Sequence, residues 1–135
     1  MILGFDPGRD KCGLAVMGRE QQILYHQVVT SQDAIATIQQ LCQQFAIETI
    51  VMGDQTTAKS WKQKISSCDL AASIPIVMVD ERYSSLEARD RYWQMYPPKG
   101  LERLVPQGIR QPPRPIDDIV AILLIERYLK LGIRD

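Results

Sequence analysis

The chain has 135 residues, 45% of them hydrophobic and 24% charged, and its sixteen basic residues are balanced by sixteen acidic ones. That length predicts one domain, residues 1–135, able to bury a core without staples, and zero net charge excludes a global attraction for nucleic acid. No apolar run approaches the ~18 residues of a membrane span, and the first residues already read as a strand, not as a signal or transit peptide. Cys12, Cys42 and Cys68 are too far apart for a zinc pattern or a disulfide framework, so reduced thiols, a cytoplasmic location and no membrane partner are expected.

Three short strands come first: Ile2 to Asp6, Gly13 to Gly18 and Gln22 to Val29. The turn-like stretches Pro7-Gly8-Arg9-Asp10 and Gly18-Arg19-Glu20 join them as two hairpins. The period then changes. Ala34, Ile35, Ile38, Leu41, Cys42 and Phe45 follow helical spacing, with Thr30 or Ser31 placed to cap the helix. Glu48 to Gly53 reads as a buried strand, Thr57 to Ala72 as a weaker helix, Ile74 to Val79 as a fifth strand ending at Asp80-Glu81, and Ser84 to about Tyr96 as a helix. Residues 97 to 115 hold six of the eight prolines and form a loop longer than most connections. The last element is an apolar helix from Ile116 to Leu131, ending at Gly132. This order predicts an α/β fold with a mixed five-stranded sheet, three antiparallel strands followed by parallel ones, flanked by helices.

The charges are unevenly spread. From Arg82 to Arg114 there are seven basic residues against three acidic ones, so that segment carries +4 and the remainder −4. A local basic patch or an ordinary solvated surface both account for this.

Several chemistries are poorly supported. The single histidine, His26, lies inside a predicted strand with no nucleophile motif around it. No Walker A run exists, and Gly4, Gly8 and Gly13 do not form a dinucleotide-binding set. The glycines of FDPGRDKCGLAV precede a strand and not a helix N-terminus, which excludes a helix-dipole phosphate site; Gly8 and Gly13 fit backbone that turns tightly and lies close to a substrate.

Carboxylates are more promising. Asp6 ends the first strand, Asp80 and Glu81 follow the fifth, and Asp117 and Asp118 open the last helix. At ~100° per residue both aspartates fall within about 60° of the centre of that helix's apolar face, so phase alone does not choose between them. A carboxylate aimed at a sheet is costly unless paired or metal-bound, and three converging carboxylates suit a hard cation such as Mg²⁺ or Mn²⁺. Each acid also has a purely structural explanation: a turn former at Asp6, helix-dipole partners at Asp80 and Glu81, an N-cap at Asp117.

These residues also carry a resemblance. FDPGRDKCGLAV, VDERYSSLEAR and IDDIVAILLIERYL, in this order and over nearly the whole chain, resemble the three blocks of the YqgF/RuvX family, small relatives of the RuvC Holliday-junction resolvases. The resemblance implies an RNase H-like fold and a nuclease dependent on Mg²⁺ or Mn²⁺, acting on branched DNA or precursor 16S rRNA. Its catalytic, metal-holding trio falls on Asp6, Glu81 and Asp117, with Asp118 as the alternate third ligand. Arg82, Gly8 and Gly53 are the implied substrate contacts. Resolvases of the wider superfamily work as dimers, so a homodimer belongs to this expectation, although no dimer face is visible in the sequence. The family's Gly-Leu-Pro loop reads Gly53-Asp54-Gln55 here, which leaves a catalytically weak or inactive nucleic-acid-binding homologue as the alternative. An actin-like nucleotide-binding protein would need a second such domain, which 135 residues do not supply.

Overall fold

A computed structural model describes residues 1–134. Strands β1 (Ile2–Asp6), β2 (Lys11–Met17) and β3 (Ile23–Thr30) form an antiparallel meander. Helix α1 (Ala34–Gln44) leads to β4 (Thr49–Gly53), and α2 (Ala58–Ser66) leads to β5 (Ile76–Val79). Helix α3 (Ser84–Met95), two short 3₁₀ turns (Gly100–Leu104 and Gln107–Ile109) and α4 (Asp117–Arg134) complete the chain. The sheet order is β3-β2-β1-β4-β5, with β4 parallel to both β1 and β5. The C-terminal ends of β1, β4 and β5 therefore share one edge of the sheet.

Strand alternation divides the core in two. Leu3, Phe5, Cys12, Leu14, Val16, Ile50 and Met52 pack on one face with the buried residues of α1 and α2. Residues of opposite parity, Ala15, Met17, Val51 and Val79, meet α3 and α4 on the other face. Asp6 shares the parity of Gly4, so β1 sends its carboxylate towards α4 and not into the α1–α2 core.

Helix α4 lies very close to the sheet. A Cβ added at Gly4 would stand 2.5 Å from the Ala121 carbonyl oxygen, and one at Gly13 would stand 1.8 Å from that of Asp117. Gly13 thus makes room for the start of α4, and not for substrate as its place in the turn suggests.

The elements differ from expectation where local chemistry competes. Neither Thr30 nor Ser31 caps α1. The Ser31 hydroxyl donates instead towards the carbonyls of Gly8 and Arg9, both at 2.9 Å, which fastens the β1–β2 turn to the end of β3. Helix α2 stops at Ser66, where the Ser67 hydroxyl bonds back to the Gln63 carbonyl and polar turns follow. Strand β5 begins after Pro75, which has no N–H for the ladder. Helix α4 runs through Gly132 to Arg134 instead of ending there. The proline-rich loop is not featureless: Arg110 stacks on Trp93 and donates to the carbonyls of Glu102 and Val105.

Replacing Gly13 by Ala should cost at least ~3 kcal/mol, because the obstruction is backbone that cannot rotate away. Urea unfolding of the Gly13→Ala variant measures it; a loss below 1 kcal/mol would contradict the close approach of α4.

Candidate active site

Three segments far apart in sequence deliver carboxylates to one cavity of about 340 Å³. Asp6 comes from the end of β1, Glu81 from the turn after β5, and Asp117 from the first turn of α4; Gly8, Gln55, Ser84 and Ser85 complete the polar lining. The parallel pairing of β1, β4 and β5 accounts for the first two, since it brings their C-terminal ends side by side. The contact of α4 with Gly13 accounts for the third, because Gly13 is the register partner of Asp6.

The sheet also determines which acid of each pair faces the cavity. At Asp80-Glu81, the Asp80 carboxylate accepts from the Arg82 amide at 2.8 Å and its carbonyl accepts from Arg127 of α4 at 2.7 Å. Glu81 is left facing inward, over Gly53: a Cβ on Gly53 would lie 2.4 Å from the Glu81 Oε2. Gly53 thus provides space for a carboxylate. Gly8 lines the cavity, and its lack of a side chain also lets the turn close against the Lys11 carbonyl.

Asp117 and Asp118 separate cleanly. Asp118 is only 2% exposed and accepts from His26 Nδ1 at 2.6 Å and from Arg114 at 3.0 and 3.4 Å. Its carboxylate is committed to these two partners on the β3 side of α4 and does not line the carboxylate cavity. Asp118, expected as the alternate third ligand, is thus placed apart from Asp6, Glu81 and Asp117, since successive residues on a helix diverge by ~100°. Arg82, the expected phosphate contact, is exposed and does not line the cavity either, although Glu81 and Ser84 on either side of it do.

The electrostatics match the crowding. Asp6, 7% exposed, has its pKa pushed up to about 8, first by burial and then by the negative charges of Asp117 and Glu81. Burial also raises Glu81, opposed by a hydrogen bond from Gln55 and reinforced by Asp54 and Asp80. Asp117 is raised by burial and by Asp118, with Lys11 acting against this.

Gln55 is the residue the sequence did not single out. Its Nε2 donates to Asp6 Oδ1 at 3.1 Å and to Glu81 Oε2 at 2.9 Å, joining two of the three acids through one amide. No three His, Cys, Asp or Glu side chains among the described residues stand close enough together to hold a metal ion in this arrangement. The only warning was that Asp54-Gln55 replaces an apolar-proline pair. Tyr83 is a second surprise: it enters α3 in the left-handed region, at φ 63°, with its ring largely exposed. The basic segment is partly neutralised internally, since Arg91 pairs with Glu126 and Arg114 with Asp118, whereas Arg82, Lys99 and Arg103 stay exposed.

The donor chemistry fits a hard divalent cation. Burial and the two neighbouring carboxylates raise the Asp6 pKa, and the side chain that bonds both Asp6 and Glu81 among the described residues is a neutral amide.

The family model described as "RuvX: Holliday junction resolvase" matches residues 1–131. Two curated relatives, from two strains of Coxiella burnetii and each named "Putative pre-16S rRNA nuclease", are 24% identical, covering 96% of this chain and 92% of their own. Among solved structures, Thermus thermophilus RuvC superposes with a TM-score of 0.55 over 97% of this chain and 96% of its own, at 14% identity. That likeness supports the RNase H-like reading of the sheet and its helices.

Because folding raises the Asp6 pKa, the folded state binds the more tightly held proton, and the stability this confers below pH ~4 is lost as pH climbs to about 8. Without divalent ions, thermal unfolding should therefore show Tm falling across this window. Asp6→Asn should flatten the slope and raise Tm at pH 8 by roughly 5 °C; an unchanged slope would count against a buried, charge-crowded Asp6.

Proposed function

The chain belongs to the RuvX family, and we propose that it is a nuclease whose Asp6, Glu81 and Asp117 hold Mg²⁺ or Mn²⁺ to hydrolyse phosphodiester bonds. One observation carries this reading: three carboxylates from separate segments converge on a single cavity with no cationic side chain among its lining residues. A protein that only bound nucleic acid would gain nothing from such repulsion, and would instead line the cavity with positive charge.

The side chains have distinct tasks. Asp6, at the bottom of the cavity, must lose its proton before it can hold a cation, and its raised pKa makes that loss easier towards pH 8. Glu81 and Asp117 face it from the β5 turn and from α4. A divalent cation held there would polarise a phosphoryl oxygen and make a water more acidic. Ser84 and Ser85 offer hydroxyls from the wall, and Lys11, close enough to influence Asp117, offers an ammonium group to a substrate phosphate. The exposed Arg82, Lys99 and Arg103 supply charge for the flanking backbone.

Both substrates suggested by the relatives, branched DNA and the precursor of 16S rRNA, are cytoplasmic polyanions that this arrangement can accept. Symmetric cutting of a branched DNA needs two such sites, and hence a homodimer; trimming a precursor rRNA needs only one. No helix among the described residues is long and apolar enough to cross a membrane.

A panel of four-way junction, duplex and precursor-rRNA substrates, each with and without Mn²⁺, tests the reading. Cleavage should require Mn²⁺ or Mg²⁺, and Asp6→Asn, Glu81→Gln or Asp117→Asn should each lower the rate ~10³-fold or more while the protein stays folded. Asp118→Asn should spare most of the activity and weaken the fold instead. Wild-type rates in the Asp6→Asn protein would sink the proposal.

A further inference from the structure

Gln55 bridges two carboxylates of the cluster with one NH₂ group, 3.1 Å from Asp6 Oδ1 and 2.9 Å from Glu81 Oε2. Chemistry fixes which way round the amide sits: turned over, its carbonyl oxygen would face two carboxylates and be repelled by both. The residue comes from the loop between β4 and α2, two residues after Gly53, whose missing side chain leaves space for Glu81. The amide therefore lies between Asp6 and Glu81, where it partly offsets their repulsion without contributing a formal charge.

We infer that Gln55 is a positioning residue that competes with the divalent cation for Asp6 and Glu81, so that its side chain must release them before both can ligate the ion. This rests on the metal-nuclease reading above and adds to it a built-in threshold. Each carboxylate oxygen now occupied by an N–H is unavailable to a cation approaching the same lone pairs. A cation also reverses the preference of the amide, because it attracts the carbonyl oxygen and repels the NH₂. Gln55 therefore holds the acids apart and oriented at low metal concentration and gives way at high concentration. Its substitution should make the site more responsive to metal, the opposite of what loss of a ligand does.

The test is direct binding of Mn²⁺ by calorimetry or by electron paramagnetic resonance, at pH 8, on wild type, Gln55→Met, Gln55→Glu and Asp6→Asn. Gln55→Met keeps the length of the side chain and removes the donors; Gln55→Glu adds a carboxylate. Mn²⁺ should bind roughly 3–10-fold more tightly to Gln55→Met than to wild type, and more tightly still to Gln55→Glu. The metal-free Tm of both variants should fall by a few degrees because the bridge is gone. Asp6→Asn should bind at least tenfold more weakly than wild type. Asp6-dependent binding that is unchanged or weakened in Gln55→Met would overturn this inference alone. No Asp6-dependent binding in the wild type would overturn both it and the metal-nuclease reading.

Discussion

The contact between the first turn of α4 and Gly13 is the constraint on which the site depends. A backbone carbonyl rests where a side chain at Gly13 would stand, and Gly4 allows a similar approach about one turn further along the helix, to the Ala121 carbonyl beside the Ile125 side chain. Since Gly13 pairs with Asp6, this contact sets both the height of Asp117 above the sheet and its separation from Asp6. The buried run Ile119 to Ile125 then seals the helix onto the sheet. A helix held off by one methyl group would leave the third carboxylate out of reach.

Charge is arranged in two compartments on either side of that helix turn. On the β3 side, Asp118 is neutralised by Arg114 and bonded to His26, and Arg114 also stacks on Tyr92 and Tyr96. Burial alone would discourage charge on Arg114, but the Asp118 carboxylate wins and holds its pKa above the usual value. On the other side, Asp6, Glu81 and Asp117 have no cation bonded to them among the described residues, and all three have raised pKa values. Satisfying one acid fully and leaving its neighbour's group unsatisfied is how a site keeps affinity for an external cation while the fold stays intact.

Much of this was legible in the sequence, for identifiable reasons. Asp6 and Glu81 stand next to strong strand patterns, and the order of elements implies that those strands end at one edge. The choice between Asp117 and Asp118 was not legible, because helical phase puts both near the buried face and the decision belongs to His26, 92 residues away from its partner. Gln55 was invisible for the same reason: its partners come from β1 and from the turn after β5, and nothing local to Asp54-Gln55 announces either. Gly13 was read as lying close to a substrate because a lone glycine signals a need for space without saying what fills it.

The pinning of α4 also bears on how the chain can vary. Residues 97–115 are tied near their C-terminal end, by Arg110 against Trp93 and by Arg114 against Asp118, just before the helix locks on Gly13. The stretch of the loop that precedes both ties is free of the core, with Leu101 and Leu104 both about 80% exposed. Closing a longer flexible loop costs little, ~0.6 kcal/mol for each doubling. Homologues can therefore lengthen or shorten this stretch, and so reshape whatever approaches the cavity, without moving Asp117 relative to Asp6. The approach to the cavity and the spacing of its carboxylates can in this way change independently within one small fold.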